Sequence, residues 1–487
     1  MGARFKFRAL LATVMFSTAC AVDRFSVDAP SPERVAEVTQ FSPVDPKEWS
    51  LPNGLTVLYL KDDELPLVRG KLFLRGGSLW GPESPRGAVG AMGDQMRQGG
   101  AGAFSADALD QRLEELAASV SSSFSAEFGG VSFSCLQGDL EPVFEIFSDV
   151  ALRPRFEGDR LALWKGQSLE GIRRRKEDPS TVASIAFTQL MYGDTPYGRV
   201  TVERDVAEIS RELLVSLHND FVRPDGAILV LTGRLEEADA QRLVEKFFGG
   251  WQPRGSALPP PPPIPSEPKP GIYFITLPFS QASVQMGQLG VPRLTPDYPS
   301  IDIFNEIFGT SGFGSRLMQR VRTELGLTYG VYGGISPGVV RGTNSIFLQT
   351  KAESVSPAIQ ESLAVLTGMQ EKPPFPEEME EKKRALRNSY VLNFDSLDEI
   401  AIRRARLQLL RYPADYDKTY LPKIDAVTPD DVQEVARARW QEGSFVVVVV
   451  GNEAAYRALE SSLKSGNGWG KLFELKKLGF ESSIVIQ

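Results

Sequence analysis

Residues 309–333 read GTSGFGSRLMQRVRTELGLTYGVYG. The opening glycines, Gly309, Gly312 and Gly314, read as a flexible turn. No lysine follows where a phosphate-binding loop needs one. Leu317, Val321 and Leu325 then recur every four residues, the apolar stripe of a helix. Gly326 stops that helix, because glycine enters the left-handed region without steric cost. Beyond it, Leu327, Tyr329 and Val331 alternate with Thr328, Gly330 and Tyr332, the pattern of a strand. A cation, Arg322, therefore stands near a helix end, with a phenol, Tyr329, seven residues on.

The rest of the chain bounds what this pair can do. It has 487 residues, 42% of them apolar and 24% charged, an ordinary globular composition. The net charge of −8 argues against a nucleic-acid partner. Two cysteines, Cys20 and Cys135, exclude a disulfide scaffold, and a single histidine, His218, excludes a metal site of paired histidines. Cys135 lies in an alternating stretch, 131–135, and reads as a small buried hydrophobe; His218, the single histidine, reads as a structural or surface residue.

Residues 1–19 run basic, then apolar, then small, the order of a secretory signal peptide, so the chain is expected to be exported to the periplasm of a bacterium. Small residues directly before Cys20 resemble a bacterial lipobox, in which that cysteine carries lipid and tethers the protein to the outer membrane. Ser17 departs from the usual leucine of that motif, and an ordinary signal peptide is the alternative. A polar tether spans 20–45. The segment 259–270 holds eight prolines in twelve residues and reads as an extended linker.

On either side of that linker the same order recurs: helix, turn, apolar strand, glycine, helix. Gly451 follows Gly233 at an offset of 218 residues, about half the chain. A duplicated domain is expected, 46–255 and 271–465, joined by the linker 256–270 and followed by a tail, 466–487. Strands mix with long helices without strict alternation. The fold class is therefore α+β, with two duplicated domains, each a mostly antiparallel sheet covered by helices, forming a clamp.

This architecture, with LPNGLTVLYL at 51–60, Gly76-Gly77-Ser78, Asp178-Pro179, Tyr197-Gly198-Arg199 and the 309–333 stretch, resembles the pitrilysin/insulinase family of zinc metallopeptidases. The similarity is to its two-domain branch, which includes mitochondrial processing peptidase. Active members carry H-x-x-E-H on a helix and a glutamate further on, to bind zinc and activate water. The resemblance puts those positions on Gly90, Gly93, Asp94 and Gly171, with Glu170 one place away. It therefore implies no catalytic zinc in this chain. The family's second element, R-x-x-x-G-L-x-Y, is matched by Arg322 and Tyr329, which it implies contact substrate and the oxyanion.

The expectation is a non-catalytic subunit that pairs with a zinc-bearing homologue and closes around an unfolded peptide. That peptide is expected to add a strand near 71–75. The rival is a catalytically dead peptide-binding or structural scaffold.

Overall fold

The structure, a computed structural model, describes residues 43–252, 258–465 and 474–479. The leader, Cys20, most of the tether and most of the tail lie outside the described residues. No described helix is long and apolar enough to cross a membrane.

Two mixed six-stranded sheets carry the chain. The first is built from β1 (Lys47–Ser50), β2 (Thr56–Lys61), β3 (Leu67–Arg75), β4 (Ser119–Phe124), β5 (Phe128–Leu136) and β6 (Ile228–Gly233), in the order β1-β2-β6-β3-β5-β4. The second comprises β7 (Gly271–Thr276), β8 (Gln281–Leu289), β9 (Thr328–Ser336), β10 (Thr343–Lys351), β11 (Val446–Gly451) and β12 (Leu475–Leu478), in the order β12-β7-β11-β8-β10-β9. Five strands correspond in order and sense. β2 and β6 are parallel, as are β7 and β11, and the remaining pairs of the five are antiparallel. This is the duplicated α+β architecture that the sequence implies.

β6 and β11 are buried along their whole length, which is why they carry the apolar runs 228–231 and 446–450. One face of each sheet packs on the helices of its own half. Val143, Phe144 and Phe147 of the helix Leu140–Leu152 meet Val131, Phe133 and Cys135 of β5 in this way. The other face is covered from the opposite half. Helix Pro179–Tyr192 lays Val182, Ala186 and Phe187 on Val446, Val448 and Val450. Reciprocally, helix Leu397–Leu409 lays Ile400, Ala401 and Ala405 on Leu58, Phe73 and Val230. Polar bonds fix the same exchange: Thr232 donates to Asp398 at 2.6 Å, and Arg293 pairs with Glu127.

The linker runs over the first half, where Trp80 donates to the Pro259 carbonyl at 3.0 Å and Tyr197 to that of Pro262 at 2.9 Å.

One expectation is corrected by the strand order. Residues 71–75 belong to β3, an inner strand paired with β5 throughout and with β6 as far as Phe73, so they do not form a sheet edge for a peptide. The strand that inserts beside it, β6, comes from more than 150 residues later in the chain. On that side of each sheet the terminal strands are β4 and β9, each paired on one edge only among the described residues.

Candidate functional site

The positions that resemble a zinc motif lie on helix Ala88–Gln98, packed against β4. A Cβ on Gly90 would meet nothing within 4 Å, whereas one on Gly93 would lie 2.5 Å from the amide nitrogen of Phe124. Gly93 thus lets the strand close onto the helix, and Ser122 donates to its carbonyl at 2.6 Å. Asp94 accepts from the Trp164 indole at 2.9 Å. Burial pushes the Asp94 carboxyl above its ordinary pKa, and the indole bond opposes that. It faces a cleft of about 400 Å³ bordered by Ser121, Ser122 and Arg160.

Gly171 lies on helix Gly158–Arg174 and offers no donor; Glu170 is exposed and paired with Arg174 at 2.8 Å. Among the described residues no three histidine, cysteine, aspartate or glutamate side chains converge as ligands. Three positions without side chains, one engaged aspartate and one solvent-facing glutamate do not fit a zinc ion.

Arg322 and Tyr329 are set by two departures from regular geometry. The helix that carries Arg322 widens into a π-helix, Met318–Glu324. The wider turn breaks the four-residue stripe: Leu317, Met318 and Val321 are buried, but Leu325 is turned outward. Gly326 then adopts φ +62°, as expected of the stop, and its N–H donates to the Arg322 carbonyl at 3.0 Å.

The strand contains a bulge. Gly330 pairs with Gln349 and Thr328 with Thr350, so Tyr329 is the extra residue. Thr328 pins it: its hydroxyl accepts from the Gly330 N–H at 3.1 Å and reaches the Gln349 carbonyl. The bulge reverses the expected phase at the start of β9. Thr328 is buried with Val331, and Tyr329 is 72% exposed. No described residue hydrogen-bonds to the Tyr329 hydroxyl or forms an ion pair with Arg322, whose guanidinium lies 4.4 Å from the centre of the Phe313 ring.

The glycine turn is held rather than loose. Lys382, buried, donates to the Gly314 carbonyl at 2.8 Å, and Ser315 donates to that of Gly312 at 2.7 Å. Phe313, Thr328 and Lys382 were not singled out by the sequence. A phenylalanine between two glycines was the available signal for the first; the others act through contacts that no local pattern encodes.

The remaining candidates are structural. His218 is buried, bonded to the Ala151 carbonyl at 2.9 Å and set edge-on to Phe156. The Cys135 thiol is buried, which pushes its pKa up to about 12 and makes it unreactive.

Residues 208–386 match the family model described as the peptidase M16 inactive domain. An "uncharacterized zinc protease" of Mycobacterium bovis is 24% identical over 341 residues, 68% of this chain and 76% of that protein. A "non-peptidase homolog" of Helicobacter pylori is 21% identical over 400 residues, 82% of this chain and 92% of its own. The crystal structure of a peptidase M16 inactive domain from Pseudomonas fluorescens superimposes with a TM-score of 0.76 at 28% identity. It covers 84% of this chain and 98% of that one.

Proposed function

The chain belongs to the M16 (pitrilysin/insulinase) peptidase family without the family's zinc ligands, and on that premise we propose that it is the Arg322- and Tyr329-supplying subunit of a heterodimeric zinc metallopeptidase. Alone it is a catalytically inactive member. The partner is a zinc-bearing homologue, and the substrate is an unfolded peptide of the cell envelope.

The observation that carries this reading is Tyr329: the bulged residue of a terminal strand, exposed, its hydroxyl free of partners among the described residues. Bulges re-aim side chains at functional sites. A phenol on an open strand edge and a guanidinium without a carboxylate partner can each donate to a peptide carbonyl oxygen as negative charge develops on it. The partner's zinc would supply the activated water. A peptide adding to the edge of β9 or β4 would present its backbone to these donors. The "non-peptidase" description of the Helicobacter pylori relative supports the inactivity of the single chain.

The test mixes the purified chain with its zinc-bearing homologue and follows cleavage of an unfolded peptide. The chain alone should cleave nothing. The mixture should be active, and Arg322→Ala or Tyr329→Phe should each lower kcat by about a hundredfold, the scale of one lost oxyanion donor. Unchanged activity in both variants would favour the scaffold reading. Stoichiometric zinc with cleavage by the isolated chain would defeat both. Anchoring through Cys20 is part of the proposal: Cys20→Ala should move the protein from the membrane fraction to the soluble periplasm.

A further inference from the structure

We propose that Phe313 is a positioning residue for Arg322, and that the glycine turn at 309–314 is a built platform for its ring. The inference rests on the reading of Arg322 given above.

The other two arginines of the stretch 309–333 are neutralised. Arg316 pairs with Glu378 at 3.0 Å through Nε, and Arg320 with Glu324 and Glu361, each at 2.9 Å. In a chain of net charge −8, Arg322 is left with no carboxylate among the described residues. A long arginine without an anchor samples many rotamers and is a poor donor for a transient charge. Here the anchor is the Phe313 ring.

The kind of contact matters. A carboxylate would consume the guanidinium's N–H groups. A ring presents no acceptor lone pairs, so the guanidinium's N–H donors stay free for a carbonyl oxygen. The ring is 60% exposed, so core packing does not account for its place. What holds it is the backbone beneath. Gly312 takes φ +57°, a conformation other residues rarely adopt. Lys382 binds the Gly314 carbonyl, Ser315 that of Gly312, and Gln319 that of Phe313 itself. The buried Lys382 ammonium, paired with Glu381 at 3.1 Å, ties the turn carbonyl to the helix Pro376–Val391 and holds the turn in place.

The experiment uses the full chain mixed with its zinc-bearing homologue. Phe313→Leu keeps an apolar side chain but removes the π face. It should lower kcat about fivefold to tenfold with little change in KM, while Phe313→Trp or Phe313→Tyr should recover activity to within about twofold. In the isolated chain, ¹⁵N relaxation of the Arg322 Nε–H should show greater mobility in Phe313→Leu than in the wild type. Thermal melts of these exposed-site variants control for folding. If Arg322→Ala is damaging but Phe313→Leu is as active and as ordered as wild type, this inference is overturned alone. It also falls if tryptophan rescues no better than leucine. An Arg322→Ala variant as active as wild type brings down the functional reading first, and this one with it.

Discussion

Ser122 of the terminal strand β4 donates its hydroxyl to the carbonyl of Gly93 at 2.6 Å, bonding the strand to the helix at the position on which the family resemblance puts a glutamate. The bond exists because Gly93 has no side chain, and the same helix carries a natural control in Gly90. A Cβ at Gly90 has open space, whereas at Gly93 it meets strand backbone at 2.5 Å. Both replacements gain the same helix propensity, about 0.5–1 kcal/mol. Gly90→Ala should therefore stabilise by that amount. Gly93→Ala should destabilise by about 1–3 kcal/mol, since backbone must move. Urea denaturation of the two variants decides it; equal effects would mean that the close approach carries no energy.

The bulge at Tyr329 depends on a buried hydroxyl. Thr328→Val keeps shape and removes the bonds to Gly330 and Gln349. A cost of about 1–2 kcal/mol is expected. Partner-dependent peptidase activity should fall more than stability alone explains, because Tyr329 loses its outward aim. Thr328→Ser should restore most of both. A valine variant with full activity would show that Tyr329 holds its position without the pin.

The strands buried on both faces were the readable part of the sequence, since β6 and β11 carry the apolar runs 228–231 and 446–450 and the glycines that end them mark the duplication. The bulge was not readable. One extra residue shifts the phase, so the simple alternation of Leu327, Tyr329 and Val331 breaks at its start: Thr328 turns inward and Tyr329 outward. The π turn likewise defeated a four-residue stripe and exposed Leu325. The peptide edge was misplaced on β3 because strand order is decided by β6, far along the chain. Arg322 and Tyr329 were legible as a spaced pair, but their lack of partners is a fact of three dimensions.

The exchange of helices between halves has a consequence for fragments. Without helix Leu397–Leu409, a fragment 46–255 would expose Leu58, Phe73 and Val230 on one sheet face. Patches of that kind drive association. The isolated fragment should aggregate or bind an apolar dye strongly, and a synthetic peptide covering 395–411 should suppress the dye signal. A soluble fragment that ignores both dye and peptide would show that the first sheet does not need the helix.

Asp302 gives the fold a pH dependence with a definite sign. Its carboxyl is buried in the second half beside Tyr420, whose hydroxyl donates to it at 2.9 Å, and burial, with Glu306 nearby, raises its pKa from 3.8 to about 6. The folded state therefore keeps a proton that the unfolded chain loses near pH 4. Between about pH 4 and pH 6 stability falls as pH rises, by up to about 3 kcal/mol, and above that window this group adds no further slope. Asp302→Asn keeps an oxygen to accept from Tyr420 and cannot ionise. The variant should match wild type near pH 4 and exceed it near pH 7. Unfolding free energies measured in urea across that range test the sign, and a wild-type-minus-variant difference that does not change with pH would refute it.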